Sequence, residues 1–316
     1  MILSGLFLLS VVIVYIIWDL FYKGQEKSIN PYELDVSGLK KMDTLNPSYS
    51  EVLQFQPVMS IIYGISSDRY DRIYIGGSGG IEVFGASGNP VFSFATQDTV
   101  RCLAVDSAGF ILLGLKDHIA IYTPKGKLAI SFPQIDKHCI ITSIAIAGDD
   151  IYAADAGTKI VYRFKRSGKV VNKIGAKDPA QGIPGFIVPS PYFDLGITKD
   201  GSLWVVNPRR HSFEQYHPDG TLITTWEKSS TGIDGFFGCC NPGHFAFLSD
   251  GNIVTSEKGI ERIKVYDQKG NLLHVVALPG SFDEGIKGLD LAVDSRNRIL
   301  VLDPIRHQVR IFEKTF

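Results

Sequence analysis

Asp194, His244 and Asp290 carry the clearest chemical potential in this 316-residue chain, because they stand at matched points of an internal repeat. Cys102 and Ser143 occupy the same point in two earlier copies, and Ile62 in the first. Two carboxylates, an imidazole and a thiol on one ring are ligand types for an ion, an anion or a small polar molecule. One imidazole with two carboxylates suits an oxygen-preferring divalent ion such as Ca, Mn or Fe better than a structural Zn. The alternative is a water-filled channel, in which polar linings cost little.

The four cysteines, Cys102, Cys139, Cys239 and Cys240, form a second group. Cys239 and Cys240 are adjacent and lie four residues before His244. A bond between them would join Cα atoms about 3.8 Å apart, short of the usual disulfide span of about 4.4–6.8 Å. Free thiols, cross-links to Cys102 or Cys139, a soft-metal site with His244, and two small buried residues in a turn all remain open. Other catalytic patterns are absent: no Gly-x-Ser-x-Gly, no His-Glu-x-x-His, and no helix behind Gly76–Gly80 to make a phosphate loop.

The repeat that positions these residues occurs six times. An apolar strand ends in a turn of Gly, Asn and Asp character, a second strand follows, then a third ending in an aromatic. Segments from Leu195 and Phe245 are the clearest copies, and the second strands begin near Ile73, Ile111, Ile151, Leu203, Ile253 and Ile299. That spacing is the length of a four-stranded propeller blade. The expected fold is all-β, a six-bladed β-propeller over residues 51–316. The last copy ends after three strands, so Glu51–Val58 (EVLQFQPV) is expected to pair antiparallel with Val309–Phe312 and close the ring.

The phrase GNIVTSEKGIERIKVYDQKGN (Gly251–Asn271) resembles an NHL repeat, and the resemblance extends over about residues 60–314. The fifth copy matches best, and the sixth and third match fairly well; the first is Gly-rich and weak, and the fourth departs, with Asn207 at the usual acidic position and His211–Phe213 in place of Arg-Ile. The resemblance implies a six-bladed NHL-like propeller. The fold hosts binding scaffolds, lyases and hydrolases alike. Amidating lyases on this scaffold use several metal-bound histidines, whereas the ring here holds His244 alone.

In the propeller frame, the insertions Gly175–Tyr192, Glu227–Gly243 and Leu278–Lys287 share the face where the inner strands begin. Arg209, Arg210, His211, Lys258, Glu261, Arg262, Arg306 and His307 are expected there too, as a cationic rim suited to an anionic partner or as solvated turn charges. The formal charge of -1 gives no footprint for nucleic acid.

Residues 1–22 have another character. Ile2–Trp18 holds no charge, and the apolar run is long enough to cross a bilayer core of about 30 Å. No basic n-region or small-x-small cleavage site accompanies it, so it reads as a single transmembrane anchor and not a cleaved signal. Trp18, Tyr22 and Lys23 then lie at the interface, and residues 23–50 form a tether. Lys23 and Lys27 pull toward a cytoplasmic propeller; the orientation taken is extracytoplasmic, periplasmic in a bacterium. The combined expectation is a membrane-anchored binding or assembly module that docks a membrane-associated protein partner through its mouth face. The alternative is a metal- or thiol-dependent redox protein, or a lyase- or hydrolase-type enzyme, using His244, Asp194, Asp290, Cys239 and Cys240.

Overall fold

The computed structural model describes residues 12–16, 18, 46–283 and 288–315. Residues 12–16 and 18 are helical. The rest of the expected anchor, the tether through residue 45 and the end of the third insertion (284–287) lie outside the described residues. Among the described residues no helix is long and apolar enough to cross a membrane.

The described residues from 46 onward form six four-stranded antiparallel sheets. This is a six-bladed, all-β propeller. The innermost strands are Ile62–Ser67, Cys102–Val105, Ile141–Ala147, Leu195–Ile197, His244–Phe247 and Asp290–Val293. The first strand, Tyr49–Phe55, pairs antiparallel with Gln308–Lys314 and gives the sixth sheet its outer strand, with Glu51 opposite Phe312 and Phe55 opposite Val309. This strand starts at Tyr49, two residues before the expected boundary.

Local chemistry explains the strand ends. Asp106, Asp267 and Asp294 each accept the N–H groups two and four residues on, at 2.8–3.0 Å. Each carboxylate thereby holds a tight turn in place. The fourth turn residue takes a left-handed conformation, as Gly109, Gly270 and Asn297 do at φ 85, 82 and 60°.

The core lies between the blades. Six clusters of buried apolar side chains form, each shared by two neighbouring sheets. One joins Ile62, Ile65 and Ile73 of the first blade to Leu300, Leu302 and Val309 of the sixth. Strands of period two can bury both faces this way, which is why the second strand of each blade is apolar almost throughout.

Candidate site at the channel mouth

Six inner strands crowding one axis leave room only for small side chains. The channel is lined by Ala104, Ala145, Gly196, Ala246 and Ala292, with a volume of about 320 Å³. One step toward the mouth stand Cys102, Ser143, Asp194, His244 and Asp290. Cys102, Ser143, Asp194 and Asp290 face the channel, whereas His244 faces a second pocket outside it. Asp290 borders both spaces.

The two carboxylates span blade seams. Asp194 accepts from Leu195 N at 2.9 Å and from Phe245 N of the next blade at 2.8 Å. Asp290 repeats this with Leu291 N at 2.9 Å and Ile65 N at 2.8 Å, across the seam between the last and first blades. Ser143 plays a weaker version, its hydroxyl 3.4 Å from Leu195 N. All four carboxylate oxygens thus accept main-chain donors at the blade seams, with Leu195 N also within reach of the Ser143 hydroxyl.

His244 sits between these acids. Its Nδ1 lies 3.3 Å from Asp290 Oδ1 and 3.7 Å from Asp194 Oδ2. Burial works against the imidazolium, but the Asp290 and Asp194 carboxylates outweigh it and the imidazole pKa is raised. Burial pushes Asp290 up to about 6, with His244 pulling the other way and Asp194 reinforcing the rise. The three side chains offer ligand atoms within 4.8 Å of one another. They form the metal-ligand-type group found among the described residues; Cys239 and Cys240 are not part of it.

The opposite edge of the ring faces outward. With Nδ1 turned to the acids, Nε2 is turned to Gly288, where an added methyl would lie 3.4 Å from it and 2.6 Å from the Tyr192 ring. Tyr192 packs edge-on to His244 at 5.9 Å. Above them opens a pocket of about 310 Å³ whose walls include Ile61, Pro191, Leu302 and Ile305, with Arg101 among the polar lining.

Each long insertion is gripped by the blade that follows it. Asn207 accepts from Ile187 N at 2.9 Å and donates to Gly185 O at 3.0 Å, fixing the first insertion. Lys264 donates to Ile233 O and Gly235 O at 3.0 and 2.6 Å, and Arg262 to Gly232 O at 3.1 Å, fixing the second. Arg306 and Arg310 both reach Ser281 O in the third.

These contacts take Arg262 and Glu261 out of the expected cationic rim. Arg262 is fully buried, paired with Glu257 at 2.9 Å and covered by the second insertion whose carbonyls it holds. Glu261 is also buried. Arg306 pairs with Asp283 at 2.9 Å. Lys258 lies 4.2 Å above the Tyr192 ring. Arg209 is exposed and Arg210 half-buried, and His211 bonds Ser229 at 2.9 Å and the carbonyl of Gly238. Most of the rim charge is thus spent within the fold. The glutamate, arginine and lysine of the fifth blade were missed as loop anchors because repeat spacing shows residue type and not the loop packed above it.

Among the thiols, Cys102 and Cys139 are buried in the cluster between the second and third blades. Burial raises both thiol pKa values, Cys102 far above the usual range. Cys239 is exposed and Cys240 buried, with their Sγ atoms 3.3 Å apart and unbridged. Cross-links to Cys102 or Cys139 are therefore not formed. Hydrogen bonding to Cys240, then burial, holds the Cys239 proton more tightly.

Fold and site together define a six-bladed β-propeller with an acid–imidazole cluster at one channel mouth. Solved structures with this architecture include a streptogramin B lyase, at TM-score 0.59 and 13% identity over 84% of this chain and 98% of that one. The WD40 β-propeller domain of Doa1 aligns at TM-score 0.56 and 14% identity over 80% and 79% of the two chains. A Bacteroides thetaiotaomicron protein of unknown function aligns at TM-score 0.61 and 12% identity, over 84% and 75%. Identities this low speak for the fold. No protein-family model matches the sequence. No curated protein matches it either.

Proposed function

We propose that this chain is a membrane-anchored, NHL-type propeller that acts as a binding and assembly module, docking a membrane-associated protein through its mouth face. The observation that carries this reading is the mouth pocket, walled by apolar side chains that a solitary propeller leaves in water. Ile61 and Ile305 are 49% and 51% exposed at its edge, and Tyr63 is 44% exposed beside them. Exposed apolar groups gathered around a concavity favour a partner or ligand over solvent. The three gripped insertions supply a rigid frame around it, and we read the pairing of Tyr49–Phe55 with the last blade as closure of the ring. In this reading residues 1–22 hold the propeller at an extracytoplasmic membrane surface.

The test is co-purification in mild detergent from membranes at native expression. A partner retained by the wild type and lost in Ile305→Glu supports docking at the mouth; recovery of this chain alone sinks it. The anchor is tested separately, since extraction of the full chain by alkaline carbonate would remove it from the reading.

One arrangement favours a second reading, proton-transfer chemistry at the same mouth. Nδ1 of His244 is turned to two carboxylates while Nε2 borders an apolar pocket, the disposition of a general acid–base. A structural neighbour, the Staphylococcus aureus virginiamycin B lyase, is described as catalytically inactive in a histidine-to-alanine form with quinupristin. Quinupristin is therefore a suitable first probe. Turnover abolished by His244→Gln supports a lyase; no consumption of quinupristin removes that substrate class. An oxygen-preferring divalent ion would have Asp194, His244 and Asp290 as its ligands in either reading.

A further inference from the structure

The second insertion carries a thiol pair that the mouth chemistry does not use. Neighbouring side chains in an extended segment point to opposite sides, yet this loop turns both sulfurs together, 3.3 Å apart. Cys239 is open to solvent. Behind it, Ser190 of the first insertion donates its hydroxyl to Cys240 Sγ at 2.8 Å, and Lys258 Nζ donates to Ser190 Oγ at 3.3 Å. A hydroxyl donor beside a metal-bound sulfur is the kind of outer-shell contact that orients a ligand.

The loop is also held in place. Asn241 accepts from Lys258 N and donates to Lys258 O, both at 2.9 Å. Upstream, Arg262 and Lys264 hold the carbonyls of Gly232, Ile233 and Gly235. The sulfurs are therefore fixed before any ligand arrives, which lowers the ordering cost of binding one.

Distance selects among the chemistries open to two sulfurs. A direct bond joins Cα atoms only about 3.8 Å apart, below the usual disulfide range. With metal–sulfur bonds of about 2.3 Å, a linear two-coordinate ion needs its sulfurs roughly 4.6 Å apart. A bent centre with the same bonds spans 3.3 Å at an angle near a right angle. It reaches tetrahedral geometry when the sulfurs move to roughly 3.8 Å, a widening of about half an ångström.

We propose that Cys239 and Cys240 form a two-thiolate site for a soft divalent ion of the zinc and cadmium class, with its remaining positions open to water. Binding exchanges one ion for the two thiol protons, which pass to solvent, and no electrons move. The site stands apart from the Asp194–His244–Asp290 group, whose acids prefer harder ions.

The experiment is titration of the reduced, untagged full-length chain with Cd²⁺, following the ultraviolet sulfur-to-cadmium charge-transfer band. The band is expected to saturate at one equivalent and to vanish in Cys239→Ser and in Cys240→Ser. Ser190→Ala is expected to weaken binding by roughly tenfold, the scale of a lost outer-shell hydrogen bond. Cadmium held by the carboxylates and imidazole gives no sulfur band and is not counted. Absence of the band, or its survival in both cysteine variants, overturns the proposal. Should a variant misfold, alkylating exposed Cys239 in the folded wild type replaces it: loss of the band supports the site, and its persistence overturns it.

Discussion

Asp194 Oδ2 accepts the main-chain N–H of Phe245 at 2.8 Å, across the seam between the fourth and fifth blades. Asp290 makes the same bond to Ile65 N across the seam where the chain's last blade meets its first. The acids that look like ligands are therefore also struts. Any function assigned to them must be separated from their contribution to stability.

That dual role gives the first prediction. Asp194→Ala leaves Phe245 N without this partner in a buried setting, while Leu195 N keeps only its long contact to the Ser143 hydroxyl. An orphaned buried donor costs about 1–3 kcal/mol, so urea denaturation should show a loss of at least that size. Asp194→Asn keeps an acceptor for one donor and should lose less. Equal stability of Asp194→Ala and wild type would show that the seam bond is not made.

Protonation is linked to folding at the same cluster. Asp290 has its pKa raised from 3.8 to about 6, and that of His244 is raised from 6.5. The native state thus holds more protons than the unfolded chain, so these groups contribute stability at low pH that is lost as pH rises. The Asp290 part disappears between about pH 4 and 6, and the His244 part as pH passes through its raised value above 6.5. In denaturation between pH 5.5 and pH 8 the wild type should lose more stability than His244→Gln, which keeps the opposing contribution of His274, its pKa lowered by burial and Lys314. His244→Gln should flatten the upper part of that profile.

Lys264 and Glu257 pair at 2.7 Å with neither exposed. Orphaning one partner of a buried pair typically costs about 3–5 kcal/mol, but Glu257 keeps Arg262 as a second partner. Lys264→Met should therefore destabilise by less than that full amount. It should also free the second insertion, since Lys264 holds Ile233 and Gly235. Limited proteolysis should then cut within 228–243 before the blades unfold. Unchanged resistance there would argue against the loop clamp.

Thiol labelling should separate the four cysteines. Cys239 is exposed, whereas Cys102, Cys139 and Cys240 are buried. One thiol should react with an aromatic disulfide reagent in the native protein, and all four after denaturation. Rapid reaction at Cys102 or Cys139 would contradict their placement in the core.

Much of the fold was legible because its information is local and repeated. An Asp that accepts N–H groups two and four residues on needs no distant partner to form its turn, as Asp267 and Asp294 show. Alternating apolar strands of matching length then fix six sheets. The same alignment placed Asp194, His244 and Asp290 at one level of the axis, because residues in register on successive inner strands share that level.

What the alignment could not supply was which way each side chain turns. His244 and Asp194 occupy equivalent positions, yet one borders the mouth pocket and the other the channel. Nor did residue type reveal that Arg262 and Lys264 are buried loop anchors and not rim charges, or that Asn207 holds the first insertion. The loop groups they hold lie 20 or more residues away and meet them only when loops fold back over blades. The sequence by itself determined the repeat, the all-β blades and the level at which polar groups gather. Tertiary structure decided their partners, because burial and hydrogen bonding depend on what the completed ring packs around each group.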